Sequence, residues 1–348
     1  MIRNFLISML TTAALVCVAN QVVAQDQPTE EPVMLGPTSV NVGDKNFVDA
    51  KGRRWISMGK VNFTPTNVAD LDMRRTDNRQ AAPENLTLDQ LAEALRPRRL
   101  VGDVEFRLEK PDYELAAKII KAGKAPPTKN NIPPEVSGPP FIIGSDDRTR
   151  IAAPRFWPGS PFGYLGQSCT FTMIGPSTAL SAAHCFYNNG WIATPSLTLA
   201  ADTNNPTAPF GSFMADSLTL PGQWNSNEWD WDFAVLEFSP TRRPGDQTGW
   251  YGTEESSSGG QTMIGYPNDK PIPSQWTRSG TYTASPGSRY EHNLDVIPGD
   301  SGACTFNASS RCTGIQSTQW RNSSRVWNEV RRWNRTTYDF FDAYGNWP

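Results

Sequence analysis

The hydrophobic pattern of the first third of the chain predicts two short helices. Thr87-Leu88-Asp89-Gln90 has the form of a capping box, and an apolar face follows it as far as Leu95. Pro111-Asp112 precedes a second stretch at helical spacing, Tyr113 to Ala122, which Gly123 closes. Both helices fall within a charged region that lacks histidine.

From residue 141 onward the pattern changes to short apolar runs separated by Gly, Pro, Asn and Ser clusters. Short strands at this spacing are typical of a closed all-β architecture. The predicted strands include Gly163–Gln167, Cys169–Ile174, Ser196–Ala200, Phe233–Phe238, Gln261–Ile264 and Gly314–Gln316. Near the end of the chain, Val326, Val330 and Trp333 recur at helical spacing and predict an amphipathic C-terminal helix over residues 324–333.

The N-terminus has the pattern of a secretory signal peptide. Arg3 precedes a mostly apolar run, Phe5 to Ala19, and Val22-Val23-Ala24 is a small-residue cleavage site. The run is short for a membrane span, so we expect no membrane association once the peptide is removed. The protein is therefore expected to be secreted, into the periplasm or the medium.

A proline-rich segment, Lys124 to Pro140, cannot continue a helix or a central strand and predicts an exposed linker. This linker divides the chain into a signal peptide at 1–24, a propeptide at 25–141 and a β-rich domain at 142–348. The alternative is that the region before the linker is a stable accessory domain that stays attached.

Composition narrows the class of protein. With a formal net charge of -3 the chain has no basic surface of the kind that binds nucleic acid. Without Cys17, which lies in the signal peptide, four cysteines remain, and an even number in an exported chain predicts two disulfides with three pairings open. No two histidines stand at ligand spacing, so we expect no metal and no cofactor. We expect a monomer.

The candidate chemistry centres on Ser301 in Gly299-Asp300-Ser301-Gly302. Neither glycine crowds the hydroxyl, and the N–H groups of Gly299 and Ser301 can turn into one space as an oxyanion hole. His184 ends an apolar strand and can act as the base, and Asp232 opens another and can orient it. The order His184, Asp232, Ser301 is that of a chymotrypsin-like triad.

Other assignments are weaker. A serine esterase of the α/β-hydrolase class needs Gly-x-Ser-x-Gly and a histidine after the serine, but Ala303 holds the last position and no histidine follows Ser301. Asp230 is a rival carboxylate to Asp232, and His292 is expected to be structural or at the surface. A catalytically inactive protein that binds peptides or a partner is the main alternative to an enzyme.

Several motifs resemble secreted bacterial glutamyl endopeptidases, a branch of the chymotrypsin-like serine proteases. These motifs are Phe141–Arg150, Met173–Pro176, Ala182–Cys185, Gly265–Lys270 and Gln275–Gly280. The resemblance implies two six-stranded antiparallel β-barrels with the active site between them, and peptide-bond hydrolysis of polypeptide substrates through an acyl-enzyme. It also implies the pairs Cys169–Cys185 and Cys304–Cys312, and a Ser317 that hydrogen-bonds the catalytic aspartate.

The resemblance leaves specificity and activation open. Gln316 stands where glutamyl endopeptidases use a histidine to bind glutamate, whereas Asp295 stands where trypsin-like enzymes bind Arg or Lys. Asp295 could equally stabilise a hairpin. Asp300, together with Ile142-Ile143-Gly144, gives a hypothesis for activation: a freed ammonium at Ile142 pairs with Asp300 and organises the loop at Gly299, so that the uncut zymogen is inactive.

Overall fold

The computed structural model describes residues 46–64, 86–122, 142–166, 169–203, 207–225, 229–255, 259–284, 288–321 and 326–345. The predicted signal peptide, Cys17 and the proline-rich segment lie outside these described residues. Within them, no helix is long and apolar enough to cross a membrane.

Residues 46–64 and 86–122 together form what we call the N-terminal module. Its elements are β1 (Phe47–Val48), β2 (Arg54–Lys60), α1 (Leu88–Leu95), β3 (Arg98–Val101), β4 (Val104–Leu108) and α2 (Tyr113–Lys121). Both predicted helices are confirmed. Thr87 and Gln90 form the expected capping box, and the Asp112 side chain accepts from the Leu115 N–H.

The module continues into the first sheet of the β-rich domain. That part of the chain contains β5 (Thr149–Arg150), β6 (Phe162–Leu165), β7 (Cys169–Met173), β8 (Thr178–Ser181), β9 (Ser196–Leu199), β10 (Ser212–Met214), β11 (Ser217–Leu220), β12 (Ala234–Glu237) and α3 (Pro244–Thr248). Among the described residues, eleven strands hydrogen-bond in the order β1-β2-β4-β3-β11-β12-β8-β7-β6-β9-β10. The module therefore lengthens this sheet by four strands, through β3 on β11.

The second half of the domain closes on itself. Its elements are β13 (Gly252–Thr253), β14 (Gly259–Gly265), β15 (Trp276–Ala284), β16 (Arg289–His292), β17 (Cys304–Phe306), β18 (Arg311–Arg321), β19 (Val326–Arg332) and α4 (Arg335–Tyr344). The pairings β14–β15, β15–β16, β16–β19, β19–β18, β18–β17 and β17–β14 complete a six-stranded antiparallel barrel.

The all-β prediction is confirmed, with one closed six-stranded barrel, a second sheet and a C-terminal helix. The first sheet has eleven strands among the described residues where six were expected: seven come from the β-rich domain and four from the N-terminal module, and the pairing runs from β1 to β10 without closing into a barrel. The position predicted for the C-terminal helix was wrong. Val326–Arg332 is strand β19, paired on both sides, and the helix begins only at Arg335, with Asn334 as its N-cap.

Candidate active site

His184 lies in a short 3₁₀ turn, Ala183–Cys185, directly after β8. The disulfide Cys169–Cys185 ties this turn to β7, as the resemblance implied. The imidazole Nδ1 lies 2.8 Å from the Asp232 Oδ2, and the backbone N–H of His184 donates to the other oxygen of the same carboxylate at 2.9 Å. Two contacts to one carboxylate fix both the backbone and the ring of the histidine.

Asp232 lies just before β12 and is fully buried. The Ser317 hydroxyl donates to its Oδ2 at 2.5 Å, so this oxygen binds both Ser317 and His184. Asp230 faces elsewhere and lies 3.4 Å from the Arg289 guanidinium. Of the two neighbouring carboxylates, the fold brings Asp232 to the histidine.

The loop before Ser301 turns at a glycine with a positive φ. Gly299 has a φ of 106°, and a Cβ on it would lie 2.2 Å from the Tyr266 carbonyl oxygen, so only glycine fits. Among the hydrogen bonds of the described residues, none uses the N–H of Gly299 or Ser301 as donor. Both N–H groups are therefore available to an incoming oxyanion.

The backbone of Ser301 packs against the strand that carries Cys169. Its carbonyl oxygen accepts from the Thr170 N–H at 2.8 Å. In the described residues no hydrogen bond joins the Ser301 hydroxyl to the His184 ring. Contacts of this kind are often long in an enzyme without substrate and tighten when it binds.

A buried ion pair between Arg278 and Asp300 supports the loop before Ser301. The Arg278 guanidinium lies 2.5 Å from the Asp300 carboxylate, and both side chains are fully buried. The same carboxylate accepts from the Ile297 N–H at 3.1 Å. Burial raises the pKa of Asp300, an effect that the Arg278 charge opposes. In the uncut chain Arg278 thus already supplies a cation to Asp300, the place that the activation hypothesis gives to an Ile142 ammonium.

Metal ligation does not account for this cluster. Within the described residues, one group of three side chains could converge on an ion: Cys169, His184 and Cys185. The two sulfurs are bonded to each other, and a disulfide sulfur lacks the thiolate charge that binds a metal.

A model of the Trypsin family matches residues 148–330, more than half of the chain. The chain belongs to the Trypsin family. The glutamyl endopeptidase of Bacillus licheniformis is 31% identical over an alignment of 219 residues that covers 59% of this chain and 68% of that protein. A protein called extracellular metalloprotease in Bacillus subtilis is 26% identical over an alignment of 185 residues that covers 48% of this chain and 58% of that protein.

A solved Glu endopeptidase in complex with MPD matches with a TM-score of 0.53 at 25% identity, over 58% of this chain and 98% of that one. The alignments thus cover 68% and 58% of the lengths of the two Bacillus proteins and 98% of the solved Glu endopeptidase chain. With the family match, they identify this Trypsin-family chain as a serine protease, a hydrolase of peptide bonds.

The two residues predicted to set specificity are both engaged within the protein. The Asp295 carboxylate accepts from the Ile143 N–H at 2.8 Å and the Asp147 N–H at 3.3 Å. Burial raises the pKa of Asp295, and these two N–H groups oppose that effect. This geometry favours the structural role of Asp295 over selection of Arg or Lys.

Gln316 is fully buried, and its Oε1 lies 2.9 Å from the His292 Nε2. The other nitrogen of that ring accepts from the Leu294 N–H at 3.2 Å, which makes Nε2 the protonated one. The Gln316 Nε2 donates to the Thr318 and Glu329 carbonyls. His292 is thus structural. Both polar side-chain atoms of Gln316 already have hydrogen-bond partners within the protein, so neither is left to bind a glutamate side chain of a substrate.

The second disulfide forms as the resemblance implied, and an ion-pair cluster connects two of the motifs. Cys304 pairs with Cys312 across β17 and β18. Arg148, with its side chain fully buried, contacts Asp146 at 2.9 Å and Asp269 at 2.6 Å, which joins the Phe141–Arg150 and Gly265–Lys270 motifs.

Sequence reasoning missed Arg278 and Trp229. Arg278 has the same strand parity as the buried Tyr282, which was a usable signal that a charged side chain points inward and needs a partner. The Trp229 ring stands edge-on to the His184 ring, with 5.9 Å between centroids. Nothing in the sequence alone distinguished Trp229 from its neighbour Trp231.

Proposed function

We propose that this protein is a secreted serine endopeptidase that hydrolyses polypeptides with a triad of His184, Asp232 and Ser301. The observation that carries the proposal is the convergence of His184 and Ser317 on one buried carboxylate. An inactive binding protein would have no need for a buried aspartate that orients a histidine in this way.

In the proposed mechanism, Nε2 of His184 accepts the Ser301 proton as Oγ attacks the carbonyl carbon of the substrate. Asp232 holds the Nδ1–H and stabilises the imidazolium, and the N–H groups of Gly299 and Ser301 bind the oxyanion. The imidazolium then protonates the leaving amine, and water hydrolyses the acyl-enzyme by the same steps. Residues Ser317–Trp320 of β18 are proposed to pair with extended substrate.

We further propose the organisation inferred from the sequence: a signal peptide at 1–24, a propeptide at 25–141 and the peptidase domain at 142–348. Proteolytic cleavage at Phe141 or Ile142 would divide the chain into these two parts. The pattern of the first 24 residues and the name of the extracellular relative in Bacillus subtilis support secretion. The proposed working form is a monomer with no cofactor.

The test compares the wild type with Ser301→Ala in a peptide-library cleavage assay, alongside labelling by a serine-directed phosphonate. We expect cleavage and labelling by the wild type, and a loss of about 10⁶ in kcat for Ser301→Ala. Ser212→Ala, which removes an exposed hydroxyl on β10, is the matched control and should retain full activity. A wild type that neither cleaves nor labels would refute the proposal and favour the binding protein.

A further inference from the structure

The N-terminal module is joined to the peptidase domain by backbone pairing. Strand β3 lies antiparallel to β11, with Leu100 opposite Leu218 and Arg98 opposite Leu220. The three leucines of these pairs are buried, Leu100 at 1% exposure and Leu218 and Leu220 at 0%. Without the module, β11 would become an exposed apolar edge with unpaired N–H and C=O groups.

A partly buried ion pair crosses the same junction. The Arg99 guanidinium of β3 contacts the Glu237 carboxylate of β12, and it donates to the Ser217 hydroxyl at 2.9 Å. The Ser217 hydroxyl in turn donates to Glu237 at 2.5 Å. Glu237 is only 7% exposed. If the module left, the Glu237 carboxylate would lose its Arg99 partner and keep only the Ser217 hydroxyl, which carries no positive charge.

The module also holds the loop that follows His184. Arg98 donates to the Tyr187 hydroxyl at 2.6 Å, and its guanidinium lies 4.3 Å from the centre of the Tyr187 ring. Glu105 accepts from the Trp191 indole at 2.8 Å. Tyr187 and Trp191 form a β-bridge across the loop, so the module contacts both strands of the loop.

A second loop connects the module to the triad. The Gln223 N–H donates to the Ala94 carbonyl of α1 at 2.9 Å. The neighbouring Trp224 donates to the Tyr187 carbonyl at 2.9 Å and packs edge-on against Trp229, which in turn meets the His184 ring. A continuous series of packed rings therefore leads from the module to the imidazole.

The module contacts the C-terminal helix on its other side. Lys51 donates to the Asp342 and Ala343 carbonyls at the end of α4, and Tyr344 donates to Asp112 at 3.1 Å. A cavity of about 650 Å³, lined by charged residues of the module and α4, opens beside these contacts. Solvent screens the exposed charges there, but Trp55 of the module packs edge-on against Tyr344, so this side adds apolar contact to the pairing of β3 with β11.

The module does not occupy the triad itself. Among the described residues, the hydrogen-bond partners of His184, Asp232 and the Ser301 backbone all belong to residues 169–317. We propose that the N-terminal module is a permanent subunit: it stays bound non-covalently after the chain is cut between Gly123 and Phe141, and it holds the two loops beside His184. The binding does not depend on the proposed catalytic function, although its effect on activity does.

The binding is tested in full-length Ser301→Ala with a recognition sequence for an unrelated, site-specific protease inserted between Gly123 and Phe141. After cutting, we expect both fragments to co-elute as one species from a size-exclusion column without denaturant. Fragments that separate on that column would overturn the proposal. Since this protein carries the Ser301→Ala change, the result is independent of whether the chain is a protease.

Two substitutions identify the junction. Arg99→Ala removes the ion pair to Glu237, whereas Lys60→Ala removes an exposed ion pair to Asp103 inside the module. We expect Arg99→Ala to raise the dissociation constant of the cut fragments by about tenfold or more, and Lys60→Ala to leave it within about twofold. Equal effects of the two substitutions would refute the assigned junction.

The effect on the site is tested in the cut protein with an intact Ser301. For Arg99→Ala we expect specific peptidase activity to fall as the enzyme is diluted below the dissociation constant of the fragments, because free peptidase domain loses the support of its loops. The Lys60→Ala enzyme should keep constant specific activity over the same dilutions. Constant specific activity of Arg99→Ala through the range where its fragments separate would show that the module does not hold the loops.

Discussion

At the scale of single residues, the buried pair of Arg278 and Asp300 has the largest consequence for the site. Asp300 lies between the two proposed oxyanion donors, so a displacement of its side chain moves both N–H groups. Removing one partner of a buried ion pair leaves an uncompensated charge, which costs far more than loss of an exposed pair. The pair therefore couples the stability of the barrel to the geometry of the loop.

We expect Arg278→Met to lower the free energy of unfolding by about 3 to 5 kcal/mol and to reduce kcat with it. The matched control is Arg243→Met, which breaks a half-exposed pair with Asp246 and should change stability by less than about 1 kcal/mol. Urea denaturation and ester hydrolysis measure the two effects. Adding Asp300→Asn to Arg278→Met should recover part of the stability, and a double variant no more stable than the single one would contradict the account.

His292 gives the fold a pH dependence of known sign. Burial lowers the pKa of His292 to about 3, from an ordinary value of 6.5, with the Arg278 charge adding to this and the Gln316 hydrogen bond opposing it. Between these two pH values the unfolded chain binds a proton that the folded chain does not, so acid favours unfolding.

We therefore expect stability to fall as pH drops from about 6.5 towards 3, with His292 contributing up to about 1.4 kcal/mol per pH unit. In His292→Gln this contribution should vanish, so the curves of unfolding free energy against pH for the two proteins should converge in acid. Urea denaturation across this range, in a Ser301→Ala background that prevents self-digestion, measures both curves. Parallel curves would show that His292 is not the group responsible.

At the scale of elements, the turn from Pro298 to Ser301 depends on Gly299. In Gly299→Ala the new methyl group would meet the Tyr266 carbonyl, and alanine disfavours the φ of 106°. We expect kcat to fall by about 10² to 10³, the usual cost of losing one oxyanion donor, with KM changed much less. Gly166→Ala, at a glycine with open space around it, is the control and should retain full activity.

The elements also show how far the sequence could be used for prediction. Local signals were sufficient where one stretch decides the outcome: the Thr87 capping box, the strands on either side of His184, and the glycines beside Ser301. They failed at Val326–Arg332, where helical spacing of apolar residues competes with pairing to two strands. In β19 the five residues from Trp327 to Arg331 are buried, polar ones included, because Arg331 donates to the Asp230 carbonyl and Glu329 accepts from Arg289.

The same reason explains what the sequence could not show at the site. His184, Asp232 and Ser301 stand in recognisable local motifs, so their order was sufficient to propose a triad. Asp295 and Gln316 differ, since their function depends on which distant groups reach them. Only the fold shows that the Ile143 N–H donates to Asp295 and that His292 hydrogen-bonds Gln316.

At the scale of the whole molecule, the N-terminal module changes the expected meaning of processing. In the sequence-based hypothesis, cutting creates the ammonium that orders the loop at Gly299. In the uncut chain Arg278 already neutralises Asp300, and His184 already contacts Asp232. Asp300 therefore already has a positively charged partner before the linker is cut.

We accordingly expect the uncut full-length protein to hydrolyse a small ester with a kcat within about threefold of the cut protein, because the oxyanion loop is formed in both. The measurement needs active-site titration with a phosphonate, so that rates refer to equal amounts of reactive Ser301. A small ester is the right substrate because it reports on the triad without requiring the extended substrate site. An uncut protein that resists both the phosphonate and the ester, and gains both on cutting, would restore activation by a new N-terminus and would mean that the Arg278–Asp300 pair rearranges when the linker is cut.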